Sequence, residues 1–407
     1  MARERPIRSE RRAFWLLAVL LGLFLSAASA PSPLYPVYQA EWGFSPITLT
    51  EIYAGYAFGA LAALLLTGRL SDHVGRRNVT ILGLLLELCA MAAFLVAGGA
   101  DALFVARILQ GIGTGVATGS ISAWLIDLQP SANPRLGGLV GGVAIMAGLG
   151  LGALAAGILV QEAPDPLHLV FWLLLGVFAL ALAAMPAISD PVPRAPGWLR
   201  SLRPEVGVPA VARSTFVVAL PALVAAWAVA GLYLALGPSL AISMLDTGSH
   251  IAGGGVIAAL LGTAAIASYL SRNADPRTAM IRGSWILALG VGLTLLALWL
   301  DSLAGLFAGG AATGVGLGPA FSGVLRSLAP LAPPNRRGSL LAAVYVVVYL
   351  SFSVPTIVAG VAVSRFGLRE TAYGYGFVVM VLAVVTALAA SRQPPRTSAR
   401  ADGIAPR

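Results

Sequence analysis

Runs of about 20 apolar residues succeed one another along almost the whole chain, more than a soluble core can hide. Each is long enough to cross the roughly 30 Å hydrocarbon layer of a bilayer as a helix. They fall at about 14–33, 49–70, 78–98, 102–127, 138–160, 169–187, 213–236, 250–270, 282–300, 303–325, 339–361 and 372–391. In hydrocarbon every backbone polar group must find its partner inside the protein, which leaves helices or a closed barrel. The runs extend well beyond the roughly ten-residue alternation of barrel strands. The expectation is an all-α membrane protein of twelve transmembrane helices. Turn residues and charges separate most runs, but the ninth and tenth are parted by little beyond Asp301.

Charge supports the count independently of hydropathy. All 26 basic side chains are arginine, and all but Arg107, Arg365 and Arg369 fall in segments on the same side as the N-terminus. These segments are Arg3–Arg12, Arg69–Arg77, Arg135, Arg194–Arg213, Arg272–Arg282, Arg326–Arg337 and Arg392–Arg407. They alternate with loops carrying mainly acids: Glu41, Asp101, Glu162, Asp165, Asp246 and Asp301. Only an even number of spans fits this alternation. The positive-inside rule places both termini in the cytoplasm and the chain in the inner (cell) membrane. A net charge of +9 then calls for no nucleic acid, since orientation and anionic lipid heads account for it. The arginines, apolar run and Ala27-Ala28-Ser29-Ala30 at the start have the look of a cleaved signal peptide. Cleavage there leaves eleven spans and breaks the alternation, so the segment is expected to stay as the first span.

Between the second and third runs lies GRLSDHVGRR, residues 68–77. Two glycines, an acid and three arginines make it a tight charged turn at the membrane surface, with Gly68 and Gly75 permitting the reversal. Its pattern, Gly68-x-Leu-Ser-Asp72-x-x-Gly75-Arg76-Arg77, resembles the loop 2–3 signature (motif A) of the major facilitator superfamily (MFS) of transporters. The resemblance implies the MFS fold: twelve helices in two six-helix pseudo-symmetric bundles. It also implies that Asp72 and Arg76 join an acid at the end of span 4, here Asp127, in a charge cluster that gates transport. The positive end of the helix starting near Ser339 is the expected fourth member.

The chain also repeats itself. Leu103-Phe104 leads to Gly111-Ile-Gly113-Thr-Gly115, and Leu306-Phe307 leads to Gly314-Val-Gly316-Leu-Gly318, an offset of about half the length. Pro130–Arg135 resembles Pro333–Arg337, and Gly157 falls opposite Gly360. The expected division is an N-terminal bundle 1–187, a cytoplasmic Pro/Arg-rich linker 188–212, a C-terminal bundle 213–391 and a disordered tail 392–407. Transporters built from such repeats bind substrate between the halves.

Span 4 is the richest in polar groups. At 100° per residue, Arg107, Gln110, Thr114 and Thr118 share one stripe, flanked by the small-residue ridge Gly111, Gly115 and Gly119. The stripe is expected to face a water-filled cavity and the ridge to pack on another span. Arg107-x-x-Gln110-Gly111 resembles motif B of the same family, which implies proton coupling or an anionic partner for Arg107. A structural arginine bonded to carbonyls is the alternative. Asp127 lies about 200° round the helix from Arg107 and serves another surface. Glu87 is the one acid deep inside a span, and an ionisable residue at that depth marks a candidate proton carrier. A bond to span 2 or 4 is the plainer reading.

Span 5 carries Gly148-x-x-x-Gly152-Ala153-x-x-Ala156-Gly157, which resembles motif C of drug/proton antiporters. Ala153 stands where that motif has proline, so small-residue packing survives without the kink. Span 1 also lacks the carboxylate that many drug antiporters carry there. Its exit, Pro31-Ser-Pro33-Leu-Tyr-Pro36, is a rigid break at the outer mouth. Tyr53, Tyr56, Trp124, Trp227, Tyr233, Tyr345 and Tyr349 are aromatic enough for a stacking pocket, though belts and packing use the same residues. The Gly-x-Gly strings lie within apolar helices and lack a P-loop lysine, so no nucleotide site is expected. Cys89 is alone, and His73, His168 and His250 are scattered, so neither disulfide, metal nor other cofactor is expected.

The expected function is secondary active transport: proton-coupled export of small, largely apolar or drug-like compounds by alternating access. The partners are a small-molecule substrate, protons and membrane lipids, and the working unit is a monomer. An MFS importer of a sugar, organic acid or other metabolite is the alternative, and a non-transporting membrane sensor a remote one. No convergent nucleophile, base or metal cluster marks an enzyme.

Overall fold

The computed structural model describes residues 7–190, 192, 196–244, 249–333 and 336–392. Pro191, Pro193 and Arg194 of the linker, Asp246, and residues 393–407 of the tail fall outside this description. Among the described residues all regular structure is helical, and twelve helices are long and apolar enough to cross a membrane. They are α1 (Ile7–Ser29), α2 (Pro46–Thr67), α3 (Arg76–Leu95), α4 (Ala100–Asp127), α5 (Leu136–Glu162) and α6 (Leu169–Ala184), then α7 (Ala210–Ala235), α8 (His250–Leu270), α9 (Pro276–Trp299), α10 (Leu303–Leu328), α11 (Arg337–Phe366) and α12 (Leu368–Arg392). The starts of α3, α9 and α11 lie with the ends of α4, α6 and α12 on one face, which also carries the start of α1. It is called the terminal face below.

Local chemistry explains the breaks. Pro31, Pro33 and Pro36 end α1 in a 3-10 turn, Ser32–Leu34, and restart the chain as the short helix Tyr35–Trp42. Ser45, Ser249, Asp275 and Ser302 cap α2, α8, α9 and α10 by accepting a backbone N–H in the first turn. The thin boundary at Asp301 is a sharp one, because that residue takes φ +53° and Ser302 restarts the helix at once. Asp is among the few side chains that tolerate this left-handed region.

Helix packing repeats with a shift of six. In the first half α2 and α3 pack on α4, α1 on α5 and α4, and α3 on α6. In the second, α8 and α9 pack on α10, α7 on α11 and α10, and α9 on α12. Two main seams join the halves, α5–α8 and α2–α11, and the same shift converts one into the other. Their glycines correspond. A Cβ on Gly157 of α5 would lie 2.7 Å from the His250 carbonyl oxygen, and one on Gly360 of α11 would lie 2.9 Å from that of Pro46.

The apolar core is forked. The largest cluster draws on both halves, from Tyr53 and Ala156 to Leu261, Phe352 and Ala359. Nearer the terminal face, Ala63, Val79 and Val116 cluster only with first-half residues, whereas Ala212, Leu223, Val324, Leu340 and Val348 cluster only with second-half residues. Trp227 and Phe321 border both the shared cluster and the second-half one, which sets the level of the fork.

Candidate functional site

The turn between α2 and α3 is built around Arg76. Its Nε donates to Asp127 Oδ2 at 2.9 Å, and its Nη1 lies 2.6 Å from Ser71 Oγ and 2.5 Å from Asp72 Oδ1. Arg76 is buried while Asp72 remains half exposed, so the cluster sits at the rim of the bundle. Gly75 adopts φ +100°, a conformation that favours glycine. The helix that follows begins with free backbone N–H groups, and these attract an anion.

Asp190, just beyond α6, supplies it. Its carboxylate accepts from Arg76 N at 3.2 Å, Arg77 N at 3.0 Å and Val192 N at 3.1 Å. A Cβ on Gly75 would stand 2.5 Å from Asp190 Oδ2, so glycine there also makes room for the cap. One signal of it is visible in the sequence, an acid directly after the sixth span on an arginine-rich face. The linker adds Glu205 on Arg69 at 2.5 Å, and the Pro196 carbonyl 3.3 Å from His73 Nδ1.

The expected fourth member is not part of this group. Among the described residues no ion pair or hydrogen bond joins Asp72, Arg76 or Asp127 to the start of α11. Ser339 instead takes Gly207 N on its carbonyl oxygen at 3.1 Å. The physical reason is that the apolar residues packed around the turn, Ala63, Val79 and Val116, cluster only within the first half, and those around Leu340 only within the second.

The second cluster lies deep in the first half. Because α1 stops at Ser29, the carbonyl groups of its last turn lack helical partners. Arg107 Nη1 donates to Ala28 O at 2.8 Å, and Gln110 Nε2 donates to Ala27 O at 2.8 Å. A cation at the carboxyl end of a helix is also favoured by the helix dipole. Arg107 Nη1 bonds Gln110 Oε1, and Gln110 Nε2 and Thr114 Oγ1 each reach the Glu87 carboxylate at 3.4 Å. All four side chains are almost fully buried. The stripe on α4 therefore packs against the α1 terminus and α3 rather than facing open water. Ala27 and Ala28, the small residues of the signal-like start, are integral to this packing.

Around Arg107 the surroundings are aromatic. Its guanidinium lies over Tyr56 at 4.6 Å and beside Tyr53 at 5.7 Å. Tyr53 meets Phe352 of the other half at 5.0 Å, and Trp227 lies 6.2 Å from Phe352 and 5.2 Å from Phe321. Of the aromatics singled out in the sequence, Tyr53, Tyr56 and Trp227 thus gather at the fork. Trp124 is buried at 0% exposure in the first half, and Tyr233 bonds Thr294 Oγ1 at 2.8 Å. Phe352 and Phe321 were not legible as partners, because only the meeting of the halves brings them in.

The glycines divide by surface. Gly111 and Gly115 pack on Tyr56 and Ala60 of α2, whereas Gly119 has nothing nearer than Gly68 Cα at 4.0 Å. Gly148 and Gly152 face Gly22 and Ser26 of α1, and Gly157 faces Gly254 of α8. Thr118 is buried with its hydroxyl unpaired. In the second half the same scaffold carries buried hydroxyls but, among the described residues, no buried charge. Gly316 packs on Leu287 as Gly113 packs on Glu87, and Gly310, offset from Arg107 as Gly314 is from Gly111, lies against the Tyr233 ring. Among the described residues no His/Cys/Asp/Glu group suits a metal, and Cys89 is exposed on α3.

Comparison with known proteins matches this architecture. An uncharacterized MFS-type transporter of Mycobacterium tuberculosis is 27% identical over 173 residues, 42% of this chain and 30% of that protein. A multidrug resistance protein, MdtL, of Shewanella oneidensis is 34% identical over 82 residues, 20% of each. The chain thus matches less than a third of the length of these curated relatives. In structure it resembles a bacterial homologue of the human lysosomal transporter Spinster in an inward-facing, unoccupied conformation, with a TM-score of 0.74 at 12% identity over 96% of this chain and 98% of that one. A POT family transporter in complex with 5-aminolevulinic acid gives a TM-score of 0.73 at 14% identity, over 92% and 94%. Such identities speak to the fold alone. The sequence model of the Major Facilitator Superfamily matches residues 14–304, and with twelve helices packed in a repeat of six the chain belongs to that superfamily.

Proposed function

We propose that this chain is a secondary transporter that exports small, largely apolar compounds in exchange for protons. It works in the inner cell membrane with both termini in the cytoplasm, and its halves rock about a site at the fork. The observation that carries the reading is the division of the core: one large cluster spans both halves, two smaller ones nearer the terminal face each belong to a single half, and aromatic side chains border the division. Such a division lets the halves part at the terminal face, and repacking the α5–α8 and α2–α11 seams would let them part at the other.

Glu87 is the proton carrier in this reading. It is the one buried carboxylate among the described residues, and Gln110 links it to Arg107. Thr114 holds the carboxylate, and Thr118 continues the polar stripe. The turn made by Gly68, Asp72, Gly75, Arg76 and Arg77, with Asp127, is the gate that closes the terminal face. Similarity to a multidrug resistance protein favours export over import.

The test uses proteoliposomes with an imposed proton gradient and a pH-sensitive dye, challenged with lipophilic cations, neutral aromatics, sugars and organic acids. Compound-triggered proton flux that vanishes in Glu87→Gln supports antiport. Uptake of a sugar or organic acid with no proton flux for any compound removes it.

A further inference from the structure

Resting on that reading, we propose that the site at the fork takes planar aromatic compounds that carry hydrogen-bond acceptors and no positive charge. The walls are flat on both sides. Tyr53 of α2 packs on Phe352 of α11, and Trp227 of α7 bridges Phe352 to Phe321 of α10. Trp227 and Phe321 are only half-buried and border the level where the core divides. Rings from both halves thus meet here, and parting of the halves would present their faces to a flat guest.

The polar atoms here are donors in want of acceptors. Tyr53 Oη, Trp227 Nε1 and Arg107 Nε are buried and have no partner within the protein. Indole and guanidinium nitrogens can only donate, and the phenol does so readily. An unpaired buried donor costs about 1–3 kcal/mol, which a carbonyl or ether oxygen on a guest would recover.

Charge excludes cations. On α1, α2, α3, α4, α7, α10 and α11, the charged side chains buried at this depth are Arg107 and Glu87; Arg76 is buried at the terminal face. Glu87 is held by Gln110 and Thr114, which link it to the polar stripe of α4. The guanidinium lies directly behind the wall, over Tyr56 and beside Tyr53. A cation entering the fork meets the Arg107 guanidinium as a like charge, whereas acceptor oxygens find unpaired donors on Tyr53, Trp227 and Arg107.

The experiment measures equilibrium binding to the purified chain in lipid nanodiscs with shape-matched probes. Coumarin and xanthone carry carbonyls, naphthalene and anthracene lack acceptors, and N-methylquinolinium and N-methylacridinium are cations. The carbonyl compounds should bind at least about tenfold tighter than either other pair. Tyr53→Phe should weaken them about fivefold to tenfold and leave the hydrocarbons unchanged, and Trp227→Phe should weaken the carbonyl compounds about fivefold more than the hydrocarbons. Tyr53→Phe should melt no lower than the wild type, because it removes an unpaired hydroxyl; a merely structural tyrosine would not lose ligand while keeping stability. Cations binding as tightly as carbonyl compounds, no effect of either substitution, or no binding by any probe overturns the proposal. Tight cation binding with proton-driven transport intact leaves the export reading standing. Selective carbonyl binding without any proton-driven transport would retain the site and remove the export reading.

Discussion

Gln110 stands between Arg107 and Glu87: its carbonyl oxygen accepts from the guanidinium at 2.5 Å, and its amide nitrogen reaches the carboxylate at 3.4 Å. The two buried charges communicate through a neutral amide. Either can shift position while the other keeps its remaining bonds, Arg107 to Ala28 and Glu87 to Thr114.

Removing the mediator should therefore hurt more than neutralising the acid. Gln110→Ala strips a partner from each charge and from the Ala27 carbonyl, at a cost of about 2–4 kcal/mol. Glu87→Gln keeps the shape and should cost less than about 1 kcal/mol while abolishing proton coupling. Thermal melting in detergent, read with gradient-driven flux, separates the two. Equal melting points for both variants would contradict the mediating role.

Asp190 and Gly75 should act as one unit. Asp190→Ala leaves the first N–H groups of α3 without their anion and should cost about 1–2 kcal/mol. Gly75→Ala strains a φ of +100° and also displaces the Asp190 carboxylate. The double substitution should thus cost less than the sum of the singles by about 0.5–1 kcal/mol. Hydrogen exchange at Arg76 and Arg77 gives the direct readout, and strict additivity would count against the cap.

Two glycines five residues apart on α5 should fail differently. Gly152→Ala drives a methyl into Ser26 of α1 within one half and should lower stability by about 1–3 kcal/mol. Gly157→Ala presses on His250 O and Gly254 across the seam between halves. It should leave the melting point nearly unchanged and raise the labelling rate of a cysteine placed at Ser249 in a Cys89→Ser background. Unchanged labelling would mean that the seam does not move.

Asp275, outside the spans, caps α9 by accepting Thr278 N at 2.8 Å, and this bond holds its carboxyl below the ordinary carboxylate range. A depressed folded-state value means that the cap's contribution is present above the unfolded value and is lost as pH falls through the folded one. Neutral-pH melting should be lower in Asp275→Ala than in Asp275→Asn, which retains an acceptor. The gap between wild type and Asp275→Ala should close below about pH 4. A gap that persists at lower pH would refute the cap.

The helices were legible because a run of about 20 apolar residues admits one solution in hydrocarbon. Helix ends moved by several residues, as at α9, which starts at Pro276 rather than near 282, since a capping Asp275 outweighs the polar Arg277 and Arg282 that follow. On α4, helical phase put Arg107, Gln110 and Thr114 on one stripe but not what the stripe meets. That depended on α1 ending where it does, and Pro31, Pro33 and Pro36 were the available sign that its carbonyls would be free. Asp190 reaching back to Arg76, or Tyr53 meeting Phe352, requires chain segments more than a hundred residues apart to be placed together. No local pattern encodes that.

The six-helix unit occurs twice, but among the described residues its buried charges fall in the first copy. Where the first copy holds Glu87 against Gly113, the second holds Leu287 against Gly316. A protonation event at this depth thus acts on one lobe, and the other answers only through shape. On the proposed reading the duplication separates engine from lever: one copy responds to the ion, and its twin supplies an uncharged surface that yields or resists.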